Sequence, residues 1–441
     1  MITLLSNKIR IIHPDDKLEQ ELTNRCTLEN PEFKSISKYG NVKFSSVPEK
    51  LCFYEKDESS LIVPRGCLNY LNKKSIVDMR TWHKDYVPVK SNFKLRDYQK
   101  EALNEILKAE FGVIKIPPGG GKTIIGIALA CALKQPTLFL VHTDVLFKQT
   151  VDKIPKLTNI AYAGEIRGKK FLISDFITVA TIQSMRYLTS LKNFFSIVIV
   201  DECHHTPART FTEVVTRFNA KYVCGLTATP FRNDGLEQAM FLNIGPILFD
   251  IDFRYLMNEG FISEPTIKVI YSNISLEIDG KRIFDLLLKE VIQNKKRNNR
   301  IINEILNNET GGCLVLSARV AHCKTLIKNL KTINYPSAIL VGQDNPEPVV
   351  NKLKSGEIKC VISTFDKIGE GLDVHNINKL ILATPFKSLI SLEQAVGRVV
   401  RPSSGVPVVV DFIDNHPYAK YLYNIRNKFY ESNRFPVKFT A

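Results

Sequence analysis

From Ile197 to Val200 four β-branched apolar residues run in succession, and the run ends on two adjacent carboxylates, Asp201 and Glu202. Such a run reads as a strand buried on both faces, as in a parallel sheet covered by helices. An acid pair at its tip calls for a cationic or polar ligand, and the tips of such strands are where α/β folds bind ligands. Upstream, the segment IPPGGGKT, residues 116–123, follows an apolar strand (FGVIKI, 111–116) and opens the helix TIIGIALACAL. Gly119, Gly120 and Gly121 let backbone N–H groups wrap an anion without Cβ clashes. Lys122 is placed for the β- and γ-phosphates and Thr123 for Mg²⁺, and the helix N-terminus adds partial positive charge. The match to the phosphate-loop pattern is incomplete, because Ile116 stands where its first glycine belongs. A glycine-rich turn with no ligand is the bland alternative; the acid-tipped strand, with Asp201 79 residues after Lys122 (201 minus 122), weighs against it. Together the two segments predict binding and hydrolysis of a nucleoside triphosphate.

The 441 residues suffice for about three domains at ~150 residues each. Lys and Arg number 60 against 45 Asp and Glu, a net charge of +15 that favours a polyanionic partner, with nucleic acid the first candidate. The nine cysteines form no CxxC pair, and Cys131, Cys224, Cys313 and Cys360 sit in apolar runs, as reduced core residues do. Neither a disulfide framework nor a structural zinc site is expected. The N-terminus lacks a long apolar leader core, and no apolar run approaches the ~18–20 residues of a membrane span. A soluble intracellular protein with no membrane partner is expected.

Residues 1–90 read as a small α+β domain. ITLLSNKIRII reads as one strand, DDKLEQELTNRC as a helix capped by Asp15, and NPEF, VPEKL and VPRG as turn-punctuated short strands. Basic residues interleave with aromatics here, which fits a duplex-binding surface and a solvated small domain equally well. From Leu95 the chain alternates strand and helix in two rounds, giving two tandem parallel-sheet α/β domains, 91–262 and 263–441. Gly260 and Pro265 mark the joint. The charge run KKRNNR, 295–300, reads as the exposed face of a helix in preference to a binding patch. In the second round, IGEGLDV (368–374) supplies glycines and Asp373, while SLEQAVGRVVRP (391–402) places Gln394, Arg398 and Arg401 on one helical stretch. Two guanidiniums three residues apart share a face and can grip one phosphoryl group, although the same pair is unremarkable on a surface helix.

Over residues 95–430 the chain resembles the superfamily 2 helicases and translocases. Gln99 with Arg96 matches the adenine-recognising motif, followed in order by PPGGGKT, DECH (201–204), LTAT (226–229), EGLD (370–373) and QAVGRVVR (394–401). TATPFRNDG and the ending VVVDFIDNHPYAKYLYNIRNKFY are similar to the XPB and UvsW branch, as found in phages and large DNA viruses. The resemblance implies two RecA-like domains and an ATP- and Mg²⁺-dependent motor. Within it, Pro118 to Gly121, Lys122 and Thr123 hold phosphate, Thr123 and Asp201 hold Mg²⁺, and Glu202 activates water. Arg398 and Arg401 complete the site from the second domain, with Gln394 near the γ-phosphate and Asp373 near the ribose. His204, Thr227 and Thr229 couple nucleotide state to the nucleic-acid groove, and Thr143, Thr181, Arg319 and Thr364 are candidates for backbone phosphates. Asn233 departs from the acidic middle residue of the branch's RED-type motif, which leaves that motif's role open. The expected function is a monomeric DNA helicase or translocase acting on forked or branched duplex. An RNA or transcript-releasing helicase and an ATP-gated DNA scaffold remain the alternatives.

Overall fold

The computed structural model describes the chain apart from residues 1, 39–45, 72–74, 86, 187, 189, 205–207, 231–234, 276–281, 309–310, 370–376, 402–404 and 441, and apart from the side chains of 208, 209, 211, 273–275, 368 and 369. Asp373 and Asn233 therefore lie outside the described residues. Two compact units emerge: Met1–Ile116 with Gly121–Asp250, and Pro117–Gly120 with Ile251–Ala441.

The core of the first unit is an eight-stranded sheet in the order Lys170–Leu172, Gly164–Arg167, Ile177–Thr181, Thr137–Val141, Ile197–Asp201, Tyr222–Thr227, Phe111–Lys115 and Ile247–Asp250. All neighbours are parallel except the first pair, an antiparallel hairpin at the sheet edge. Every residue of Ile197–Asp201 is buried, as its unbroken apolar run requires. The edge hairpin and the Ile247–Asp250 strand have no counterpart in the sequence reading, because each strand is only three or four residues long.

The N-terminal segment folds onto this unit as a five-stranded mixed sheet. ITLLSNKIRII is two strands, Ile2–Leu5 and Lys8–Ile12, paired antiparallel about a turn in which Ser6 N–H donates to the Lys8 carbonyl at 2.9 Å. The expected helix is present at Asp16–Arg25, with the Asp15 carboxylate accepting from Leu18 N–H at 2.8 Å. NPEF is not a turn between strands: Pro31 opens a helix, Pro31–Lys38, and Asn30 caps it by accepting from Glu32 N–H at 3.0 Å. Leu5, Ile9, Ile11, Leu61 and Val63 share one continuous core with Val113, Leu138, Val198 and Val223 of the parallel sheet. Buried Arg65 donates to the Ala220 carbonyl at 2.7 Å, and Gly66 has no Cβ because the Phe241 and Leu242 carbonyls occupy that space.

The second unit holds a seven-stranded, wholly parallel sheet in the order Ser337–Leu340, Cys360–Thr364, Gly312–Ser317, Ile377–Leu382, Val408–Asn415, Thr266–Ser275 and Val437–Thr440. Helix Phe253–Asn258 belongs here, with the Phe253 ring 6.0 Å from Phe429 and 6.1 Å from Phe435. The charge run KKRNNR bears out the exposed-face reading only in part: Lys295, Lys296 and Asn299 are exposed, but Arg297 and Asn298 are buried. They stand four residues before Ile301 and Ile302, on the apolar side of helix Lys295–Leu306. Arg297 Nε meets Asp414 at 2.7 Å with both side chains fully buried. Arg426 likewise forms a two-point pair with Asp411, at 2.8 and 2.7 Å, which Tyr430 OH joins at 2.9 Å.

Candidate active site

The phosphate loop begins where strand Phe111–Lys115 ends. Ile116 is buried and donates its N–H to the Thr227 carbonyl at 2.9 Å, tying the loop to the next strand tip, so a β-branched residue at the first loop position is accommodated by the sheet itself. Gly119 and Gly121 adopt φ of +87° and +80°, conformations that only glycine takes without strain. Gly121 is the N-cap of helix Lys122–Leu133 and has no side chain, so no cap side chain competes for the first N–H groups. A Cβ at Gly121 would lie 2.6 Å from Gln99 Nε2, which brings the Gln99 amide directly against the loop. Gln99 is in turn held by Arg96, whose N–H donates to its Oε1 at 3.0 Å.

Lys122 is buried and its ammonium has two anchors. It donates to the Ile116 carbonyl at 3.3 Å and lies 3.3 Å from Glu202 Oε1. Asp201 ends the buried strand and accepts the Glu202 N–H at 3.0 Å. Burial, and then the Glu202 carboxylate, push the Asp201 carboxyl up to about 6, against the pull of Lys122 and Lys153. Glu202 itself has φ of +47°, a left-handed conformation that costs a residue with a Cβ on the order of 1–2 kcal/mol. Its second oxygen lies 3.5 Å from His204 Nδ1.

The proton positions around His204 follow from counting donors. Thr227 Oγ1 gives its single proton to the Thr229 carbonyl at 2.7 Å. The 2.7 Å contact between His204 Nδ1 and Thr227 Oγ1 therefore needs the proton on Nδ1. A chain of contacts thus runs from the acid pair through His204 to the backbone of Thr229, buried except at Glu202, which is partly exposed.

The nucleic-acid candidates of this unit lie on the same rim. Thr143 caps the helix after strand Thr137–Val141, accepting Leu146 N–H at 3.3 Å, and Thr181 ends its strand with its hydroxyl donating to Ser184 Oγ at 2.8 Å. In the second unit Gln394 and Arg398 lie on helix Leu389–Val399, capped by Ser388, and Arg401 follows its C-cap, Val400. Gln394 is buried, while Arg398 and Arg401 are half-buried. Thr364 ends strand Cys360–Thr364, and Arg319 pairs with Asp285 at 2.6 Å. Under Arg319 the buried His322 links Ser317 and Asn298, each at 3.0 Å; burial, then Arg297, push its imidazole down to about 3, so it stays neutral. Sequence reasoning missed Lys153 and gave His322 no role of its own; helical spacing to the apolar residues of helix Val320–Thr332 is the one signal that marks His322 as buried.

A phosphate loop and an acid-tipped strand one strand removed from it in the same sheet define a nucleoside triphosphatase. Residues 92–232 match the family model for the type III restriction enzyme res subunit, and residues 296–403 match the helicase conserved C-terminal domain. A protein of Acanthamoeba polyphaga mimivirus named as an ATP-dependent RNA helicase is 28% identical over 377 residues, 78% of this chain and 71% of that one. The DNA 3'-5' translocase XPB2 of Sulfurisphaera tokodaii is 24% identical over 369 residues, covering 74% of this chain and 82% of the relative. Among solved structures, a fragment of a type I restriction enzyme HsdR subunit from Vibrio vulnificus shares the fold at a TM-score of 0.61 and 18% identity, over 79% of this chain and 69% of that fragment. The chain belongs to the superfamily 2 helicases, in the group that holds viral and XPB-type members. It is accordingly a nucleic-acid-dependent ATPase.

Proposed function

We propose that the chain is a DNA translocase that spends ATP to move on and remodel forked or branched duplexes. The observation that carries this reading is the unbroken run of polar contacts on the first unit's rim. Glu202 touches both Lys122 and Asp201, and His204 joins Glu202 to the Thr227–Thr229 strand end. A change at the acid pair is thereby felt at the Thr227–Thr229 strand end, the place from which nucleotide state is to be relayed. A net charge of +15 suits a polyanionic track gripped through its backbone, and an XPB-type relative bears the name of a DNA translocase.

The residues fit a Mg²⁺-bound nucleotide. Asp201 is a desolvated carboxylate that a cation relieves, and Thr123 stands beside the lysine that opens the helix. Among the described residues no group of three His, Cys, Asp or Glu could hold a metal alone, which suits an ion that takes phosphate oxygens and water as its other ligands. Mg²⁺, when bound, neutralises phosphate charge. Lys122 trades its Ile116 and Glu202 anchors for phosphate oxygens. Freed of the ammonium, Glu202 orients the attacking water and takes its proton at a carboxylate oxygen. Gln99 and Arg96 serve the adenine, Asp373 the ribose and Gln394 the γ-phosphate, while Arg398 and Arg401 offset the charge that develops on the transferring phosphoryl group. We read residues 1–90 as an added duplex contact.

The mimivirus relative, named as an RNA helicase, keeps RNA as the second reading. Steady-state ATPase assays with single-stranded DNA, duplex, forked DNA and RNA separate the two. Forked duplex giving the strongest stimulation is the expected result, and stimulation by RNA alone overturns the DNA reading. In the same assay Lys122→Ala abolishes turnover, Glu202→Gln holds ATP without turning it over, and Arg401→Ala binds ATP but hydrolyses it slowly. Wild-type turnover in Glu202→Gln removes that residue as the base. A duplex affinity unchanged when Lys17 and Lys84, exposed lysines of this segment, are both replaced by Glu removes the N-terminal contact.

A further inference from the structure

The edge hairpin of the first unit belongs to none of the motifs above, yet it reaches the ligand-binding rim of the sheet. Strand Gly164–Arg167 runs parallel to Ile177–Thr181, with Ile166 opposite Ala180. Its carboxyl end therefore points the same way as the strand ends bearing Thr181, Asp201 and Thr227. The two-residue turn Gly168–Lys169 stands at that end and leads back into Lys170–Leu172. In sheet order the rim reads hairpin turn, Thr181, Thr143, Asp201, Thr227, phosphate loop, so the turn extends the line on the side away from the nucleotide.

Two contacts fix the turn to the neighbouring nucleic-acid candidates. Gly168 N–H donates to Ser184 Oγ at 3.0 Å, and the same oxygen receives the Thr181 hydroxyl at 2.8 Å. Arg167 pairs with Asp144 at 3.0 Å, next to Thr143, and its guanidinium lies 5.6 Å from the Phe147 ring centre. Gly168 has φ of +57°, a value glycine supplies without strain, so the turn is tight and set in place. Lys169 is exposed at its apex with no carboxylate paired to it among the described residues, and Lys170 beside it pairs with Glu165. Phe171 is 52% exposed and Leu172 43%, large apolar surface that a solvated turn does not need. A fixed cationic turn with an exposed ring next to it is the composition of surfaces that hold a nucleic-acid strand by phosphate and base together.

We propose that this hairpin is a further nucleic-acid contact, in which Lys169 receives a backbone phosphate and Phe171 offers a stacking face. The proposal rests on the translocase reading and extends its track past Thr181. Binding of end-labelled duplex DNA, single-stranded DNA and RNA to the full chain, followed by fluorescence anisotropy across a salt titration, tests it. Lys169→Ala is expected to weaken binding and flatten the log–log salt slope by roughly 0.9 on duplex or roughly 0.7 on a single strand. Lys169→Glu weakens it further, and Lys169→Arg restores wild-type behaviour. Thermal melting of each variant verifies folding, and the lysine's exposed place in a turn keeps that risk small. Wild-type affinity and slope in both Lys169→Ala and Lys169→Glu, on every nucleic acid, overturn the hairpin contact while the translocase reading stands. Absence of binding by the wild-type chain itself sinks the translocase reading and the hairpin with it.

Discussion

Asp201 shows how a binding residue taxes the fold that carries it. Its carboxyl sits near 6 in the folded chain, above the ordinary value of 3.8, because it is buried beside Glu202. An acid whose folded value is raised binds its proton more tightly in the native state. The cost is therefore absent below about pH 4, grows between about 4 and 6, and is full at pH 7, where it is on the order of 1–3 kcal/mol. Asp201→Asn is expected to raise the melting temperature of the ligand-free protein at pH 7 by several degrees and to leave it unchanged near pH 4. The same substitution abolishes Mg²⁺-dependent turnover. Melting curves at the two pH values check this; an equal stabilisation at both would mean that charge burial is not its source. Glu202, strained at φ +47°, and Asp201, desolvated, are neighbours, and such costs collect where a ligand offsets them.

At the scale of elements, buried ion pairs fix the second unit's helices to its sheet. Arg426 joins helix Pro417–Ser432 to Asp411 on strand Val408–Asn415 through two hydrogen bonds, and Arg297 joins helix Lys295–Leu306 to Asp414 on the same strand. Removing one partner leaves an uncompensated charge in the core, which costs about 3–5 kcal/mol. Arg426→Ala should lower the unfolding free energy of the second unit by that amount, read as an earlier denaturant midpoint, whereas Arg426→Ala with Asp411→Ala should recover part of it. A urea titration that finds the single and double variants equally destabilised would show that packing, and not the stranded charge, sets the loss. The motif segments around these pairs were legible because apolar strands, glycines and capping residues follow local rules. Arg297 was not, since a run of three cations hides that one of them stands four residues before Ile301 on the apolar face.

On the scale of the whole molecule, residues 1–90 cannot be treated as a detachable module. Leu5, Ile9, Ile11, Leu61 and Val63 are buried in a core that also holds Val113, Leu138 and Val198 of the ATPase sheet. At about 1.5–3 kcal/mol for each buried aliphatic side chain, removing these five withdraws an amount comparable to the ~5–15 kcal/mol that holds a domain folded. A chain beginning at residue 91 is expected to lose cooperative unfolding of its ATPase unit and most of its soluble yield. Differential scanning calorimetry of the truncated and full chains decides this, a sharp transition at the original temperature being the contrary result. Among the described residues no helix is long and apolar enough to cross a membrane.

The sequence alone determined the alternation of buried strand and helix, the phosphate loop at 116–123 and the acid pair at 201–202, because each depends on residues near one another in the chain. Its spacing of three did not put Arg398 and Arg401 on one helix, for the helix ends at Val399 and Arg401 lies beyond the C-cap Val400. Tertiary structure decided what local pattern cannot carry: which oxygen Lys122 rests against, that His204 bears its proton on Nδ1, that the N-terminal sheet shares the ATPase core, and that an uncharacteristic GEIRGKKFL segment ends at the binding rim. The physical reason is that burial and pairing are set by residues far apart in sequence, and only the folded chain brings them within hydrogen-bonding reach.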